Sequence, residues 1–210
     1  MIIGFVGFAG SGKNTAGEIL IGNGFVPISF ASAVKDIVSV MFGWPRNLLE
    51  GDTSESRYFR ETPDRFWSEK FGRPFTPREA MQKIGTEAGR QLFHPDLWIL
   101  TLEKRLRPNE NYVITDVRFP NEIEWITSLG GKVFEIKRGE NPEWYENLTK
   151  MSEKNFIDKH LFMNKFDVHE SEWAWVGHKG IDSIMENYDT YFNLQEKIFN
   201  CLCLKDLHLH

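Results

Sequence analysis

Seven residues near the amino terminus, Gly7-Phe8-Ala9-Gly10-Ser11-Gly12-Lys13, have the types and spacing of a phosphate cradle. Glycines let successive backbone N–H groups turn inward on anionic oxygens, and a lysine closing the run offsets their charge. The apolar run IIGFV precedes them and an amphipathic stretch follows, so a strand would feed the loop and a helix would add the positive end of its dipole. The spacing is G-x-x-x-x-G-K, the core of a Walker A loop; the bland alternative is a glycine turn that merely joins strand to helix. Ser or Thr usually follows the lysine, but here Asn14 stands there and Thr15 comes next. Thr15 is read as the hydroxyl near Mg2+ and Asn14 as a spacer. Gly7, Ala9, Gly10, Ser11, Gly12, Lys13, Asn14 and Thr15 are together the expected hold on the phosphates of a nucleoside triphosphate.

Other residues suit the same chemistry. Asp116 closes a second apolar run, a usual place for an acid beside Mg2+ or its waters; the alternative is a helix N-terminal acid favoured by the dipole. Arg118 suits charge stabilisation on a phosphoryl group in flight or a grip on an acceptor phosphate, against an ion pair with Glu122. Lys35 and Asp36 open a predicted helix. Lys35 would neutralise phosphate, and Asp36 would take a ribose hydroxyl or orient an acceptor phosphate through a cation; both also suit a solvated helix start. A monophosphate dianion needs bidentate donors, which arginine's planar fork supplies. Arg57 and Arg90, then Arg60, are the candidates, with Glu50, Asp52, Glu55, Glu61 and Asp64 competing for each. Gln82 and Thr86 share Arg90's stripe and either read base edges or face solvent; Trp98 is a base-stacking face or core. Arg138 stacks on adenine or is an exposed strand-end charge. Cys201, Cys203, His208 and His210 match no structural zinc spacing and read as a helix end and tail.

These residues need a scaffold. Residues 2–6, 25–30, 112–115, 132–137 and 181–186 read as strands, and residues 13–21, 97–106, 120–129 and 190–204 as helices. Ser32 is the expected N-cap of a helix whose stripe is Val34, Ile37, Val38, Met41 and Phe42, stopped by Gly43. Thr76-Pro77-Arg78-Glu79 has the form of a capping box, and Met81, Ile84, Ala88 and Leu92 would face one side of the helix it starts. Alternating strands and helices imply an α/β domain, a parallel sheet of about five strands flanked by helices, with ligands beyond the carboxyl ends of the strands. Residues 44–95, rich in arginine and poor in strand signal, read as a helical acceptor-binding insertion in a single domain of residues 1–210; residues 139–180 are offered as a lid.

Composition narrows the classes. A chain of 210 residues with 41% hydrophobic and 26% charged content suits one ordinary globular domain. A net charge of -5 argues against a broad nucleic-acid-binding face, though not against a local basic pocket. Two cysteines make no disulfide framework. The chain carries neither a basic leader with a cleavage site nor a run approaching the roughly 18 apolar residues of a membrane span, so a cytoplasmic location without membrane contact is expected.

Further stretches point to a family: SFASAVKDIVSVMFGW, LEGDTSESRYFRE, MQKIGTEAGRQLFHPDLWI, ITDVRFPNE and HESE. In that order with the loop, over residues 1–187, they resemble the phage-type deoxynucleoside monophosphate kinases, a branch of the P-loop kinases. The resemblance implies the P-loop kinase fold, ATP as donor, Mg2+, and transfer of the γ-phosphate to a deoxynucleoside monophosphate for DNA precursor synthesis in an infected host. Asp116-Val117-Arg118 is similar to the Asp-Arg pair of thymidylate kinases, and Gly-Lys-x-Thr to adenylate-kinase-like loops. Lys13, Arg118, Asp116 and Asp36 are then the expected catalytic set, with the acceptor docked between the first sheet edge and residues 44–95. Two alternatives stay open: a P-loop kinase of another acceptor, such as dephospho-coenzyme A or a nucleoside, and a non-catalytic nucleotide-binding regulator or DNA-end module. A homodimer is open as well.

Overall fold

The computed structural model describes residues 1–151 and 156–202. In chain order the elements are β1 (Ile2–Val6), α1 (Lys13–Ile21), β2 (Val26–Ile28), α2 (Ser32–Phe42), a 3-10 turn (Arg46–Leu49), α3 (Ser54–Glu61), α4 (Arg65–Phe71), α5 (Pro77–Gln82), a π-helix (Lys83–Phe93) and α6 (Leu97–Glu103). There follow β3 (Tyr112–Ile114), α7 (Pro120–Ser128), β4 (Lys132–Lys137), α8 (Tyr145–Lys150), α9 (Phe156–Met163), a 3-10 turn (Glu170–Glu172), β5 (Ser183–Glu186) and α10 (Tyr191–Leu202). They divide into two compact units. One comprises Met1–Ser29 with the described residues from Leu106 on, the other Phe30–Arg105.

The first unit is the expected parallel α/β sheet, in the order β2-β3-β1-β4-β5. The central strands β1, β3 and β4 are buried over most of their length because both their faces are covered, while the edge strands β2 and β5 are largely exposed. Ile3 and Phe5 of β1 pack with Ala16, Ile19 and Leu20 of α1 and with Leu194, Ile198 and Phe199 of α10. On β1, Gly4 has no room for a side chain, since a Cβ there would lie 2.7 Å from Ile126 of α7. Because every strand runs the same way, the residues that follow them, Gly7, Ser29, Asp116, Arg138 and Asn187, gather at one edge of the sheet. Among the described residues of 139–180, Trp173 and Trp175 are core of this unit and among its most completely buried side chains. Among the described residues no helix is long and apolar enough to cross a membrane.

The second unit is helical and departs from three local expectations. Ser32 does not cap α2; Ala31 holds that position without a side-chain bond, and Ser32 is the first helical residue. The buried stripe of α2 is narrower than the pattern implies. Val34 and Val38 are buried, while Ile37 and Met41 are 40% and 54% exposed. Phe42 is used sideways, stacking on Trp44 at 4.7 Å. Thr76 does cap α5, accepting from Glu79 N–H, with Pro77 in the first turn. Beyond it the chain widens into π geometry, and the face that packs carries Gly85, Thr86, Gly89 and Arg90 while Leu92 is 76% exposed. The reason is steric. Val34 sits over Gly85 and the Trp98 ring lies so close to Gly89 that a Cβ there would strike it, so the glycine face is the one that admits neighbours.

Candidate functional site: a phosphate loop and its flanking charges

Gly7 follows β1 directly. Its φ of 141° and the Ile136 carbonyl, which a Cβ would strike, both demand glycine. Gly12 is the N-cap of α1 at φ 102°, and a Cβ there would collide with Asn187. Among the described residues no side-chain cap bond closes the start of α1, whose N-cap is a glycine. The Asn187 amide donates to the Ser11 carbonyl at 2.8 Å and ties the loop to the end of β5. Phe8, a variable position of the motif, anchors the loop from beneath through ring contacts with Trp144, Tyr145 and Trp175 at 5.6, 5.8 and 5.2 Å. Ser11 Oγ is buried without a hydrogen-bond partner among the described residues. Ala9, Gly10 and Asn14 are exposed, and Thr15 is half-buried.

The Lys13 ammonium folds back over this loop, donating to the Gly7 and Phe8 carbonyls at 2.7 and 2.8 Å. Burial pulls its pKa down to about 8; the Arg118 charge adds to the drop, while Glu172 and Asp116 oppose it. Lys13, Arg118, Asp116 and Glu172 thus share one electrostatic neighbourhood. Asp116 accepts from the Ser29 hydroxyl at 2.8 Å, which fixes one carboxylate oxygen at the strand-end edge. Glu122 does not pair with the Arg118 guanidinium. Its carboxylate accepts from the backbone N–H of Arg118 and Phe119 at 2.7 and 3.0 Å, closing the start of α7. The guanidinium instead donates to the Glu172 carboxylate at 2.7 Å and to the Ser171 carbonyl at 3.1 Å, in the HESE stretch. Arg138 is exposed just past β4.

The second unit holds the remaining candidates, and they are not equal. Lys35, at the start of α2, gives its ammonium to Glu50. Glu50 also takes Arg46, whose Nε donates to Asp36 at 2.6 Å, so Lys35, Glu50, Arg46 and Asp36 form one ionic chain. Burial opposes ionisation of Glu50, but the Lys35 and Arg46 contacts outweigh it and hold the carboxyl below its ordinary range. Arg46 and Glu50 had no motif to announce them as partners. Arg57 is exposed, with Nη2 donating to the Asp52 carbonyl at 2.9 Å. Arg60 donates to the Glu50 carbonyl at 3.1 Å. Thr86 and Arg90 are buried in the π-helix, Arg90 donating to the Pro95 carbonyl at 2.9 Å, and Gln82 at the end of α5 is half-buried. Trp98 takes the core alternative: it is 5% exposed, its ring lies on Gly89, and its N–H is spent on the Gly85 carbonyl at 2.7 Å.

Among the described residues no group of three His, Cys, Asp or Glu side chains could hold a metal. Cys203, His208 and His210 lie outside the described residues. The hard oxygens of Thr15 and Asp116 nonetheless fit Mg2+, which commonly takes one or two protein oxygens and completes its shell with phosphate and water.

No protein-family model matches the chain. Among curated proteins, one assigned as a deoxynucleotide monophosphate kinase in Acanthamoeba polyphaga mimivirus is 34% identical over 153 residues, 66% of this chain and 74% of that protein. The deoxynucleoside-5'-monophosphate kinase of Escherichia phage T5 is 28% identical across 59% of this chain and 70% of its own length. A solved dephospho-CoA kinase from Campylobacter jejuni aligns at a TM-score of 0.44 and 16% identity, covering 96% of this chain and 95% of that one. With a glycine-rich loop at the sheet edge and a relative 34% identical matched over 74% of its length, the chain belongs to the deoxynucleoside monophosphate kinase family.

Proposed function

We propose that this kinase moves the γ-phosphoryl group of ATP onto the phosphate of a deoxynucleoside monophosphate, giving ADP and a deoxynucleoside diphosphate. An acceptor phosphate oxygen attacks the γ-phosphorus as the bond to the β-bridging oxygen of ATP breaks. The observation that carries this reading is the Lys13 ammonium folded onto the carbonyls of a loop whose Gly7, against the Ile136 carbonyl, leaves no room for a Cβ.

The donor's phosphates lie along the N–H groups of Gly7–Thr15. Lys13 exchanges the Gly7 and Phe8 carbonyls for phosphate oxygens, and Arg118 meets charge on the group in flight. Mg2+, when bound, neutralises phosphate charge; Thr15 and Asp116 are the residues that would hold it, directly or through water. Arg138 supports the adenine. In the second unit Arg57, Arg60 and Arg90 are the arginines offered for the acceptor phosphate, Lys35 for its charge, Asp36 through Arg46, and Gln82 and Thr86 for the base. In-line transfer needs no proton abstraction from a phosphate dianion, so catalysis here is positioning and electrostatics. This reading places the reaction in the cytoplasm, the host's if the chain is of phage origin.

A panel of acceptors with radiolabelled ATP tests the reading. Label should appear on one or more deoxynucleoside monophosphates. Label on dephospho-coenzyme A or a nucleoside alone would instead support the other acceptor class, and ATP binding without transfer to anything would support a regulator.

A further inference from the structure

Arg118 is fixed at both ends by residues far apart in the chain. Its backbone N–H is held by Glu122 at 2.7 Å. Its guanidinium engages the Ser171 carbonyl and the Glu172 carboxylate through a single nitrogen, Nη1. No other described residue bonds the Nε–Nη2 edge, which is the side-on fork that grips a phosphoryl group with two parallel bonds. The turn that presents Ser171 and Glu172 is itself built for the purpose. His169 caps it, Nδ1 accepting from Ser171 N–H at 3.2 Å and meeting Ser171 Oγ at 2.9 Å, and Ser171 is 8% exposed. Trp173, next in sequence, is 1% exposed and anchors the turn in the core, its indole N–H donating to the Val168 carbonyl at 3.2 Å. The side chains of Arg118 and Glu172 are 33% and 21% exposed, and an ion pair that wet adds little to stability. Orientation is the better account of it: an arginine left alone samples many rotamers, and each transfer would then begin by ordering it.

We propose that Glu172 is a positioning residue for phosphoryl transfer, taking Nη1 of Arg118 so that the Nε–Nη2 edge is held ready for the group in flight. His169 and Ser171 support it by fixing the turn. This gives the HESE stretch a task, and it rests on the kinase reading above.

The test compares the full chain with Glu172→Ala, Glu172→Gln, Arg118→Ala and the double variant Glu172→Ala/Arg118→Ala. Glu172→Ala should lower kcat about 10–100-fold, the scale of a misplaced catalytic group, with KM for ATP and acceptor within about 2-fold of wild type. Glu172→Gln, which keeps an acceptor oxygen, should recover part of the loss, and it decides the matter if the alanine variant misfolds. In the Arg118→Ala background the Glu172 change should cost no more than about 2-fold, because its effect runs through Arg118. In nucleotide-free protein the Nε–Hε NMR signal of Arg118, assigned by its loss in Arg118→Lys, should gain mobility in Glu172→Ala. Wild-type kcat in Glu172→Ala, losses that multiply fully in the double variant, or an Arg118 signal unchanged in mobility would each overturn the proposal. If the wild-type chain phosphorylates no deoxynucleoside monophosphate, the kinase reading fails instead, and the NMR comparison still decides whether Glu172 holds Arg118.

Discussion

Lys13 shows how little freedom the chemistry leaves a single residue. Its ammonium is partly buried, feels the Arg118 charge, and is satisfied by two carbonyls of its own loop. A phosphate tail offers it stronger, charged acceptors. Lys13→Ala is therefore expected to lower kcat by about 10²–10³-fold, the scale of removing one preorganised donor, with Tm nearly unchanged. Steady-state kinetics and a thermal melt check this, and near-normal turnover would remove the loop from the reaction. The loop's glycine turn between β1 and α1 could be read from the chain because it is contiguous backbone. Glu172, Arg46 and Asn187 could not, since each acts on a partner chosen by folding: Glu172 on Arg118, 54 residues away, and Asn187 on Ser11, 176 away.

Among the elements, β1 and α1 fall where the sequence reading puts them, because an apolar run ending in glycine and a helix ended by Gly22-Asn23-Gly24 are local signals. Gly7→Ala should abolish ATP binding by calorimetry, since a Cβ meets the Ile136 carbonyl of β4, which is backbone and cannot swing aside. The π-helix was not legible. Steps of four assume α geometry, and the partners that select its glycine face, Val34 and Trp98, arrive from α2 and α6. Trp98→Ala should cost about 3–5 kcal/mol by denaturant unfolding, as large-to-small core changes do. A rise in acceptor KM without that loss would restore Trp98 to the acceptor site.

For the whole molecule, one buried charge couples stability to pH. Burial pushes the Glu135 carboxyl up from its ordinary range, against the opposing hydrogen bond from Tyr145 at 3.0 Å. A carboxyl with a raised folded pKa stabilises fully below its unfolded value near 4.5, and that contribution is lost as pH rises through the folded one. Glu135→Gln should therefore melt above wild type at pH 7.5, with the gap closing toward pH 4. A gap independent of pH would show that Glu135 does not titrate with folding. The parallel sheet that carries this strand was legible from the alternation of strands and helices, but the division of the chain at Phe30 and Arg105 was not, since it depends on which helices share a core. The most direct measurement is 31P NMR of the chain with ATP, Mg2+ and one deoxynucleoside monophosphate after another. The account predicts ADP and a deoxynucleoside diphosphate in equal amounts; inorganic phosphate as the only product, or ATP left intact with every acceptor, would contradict it.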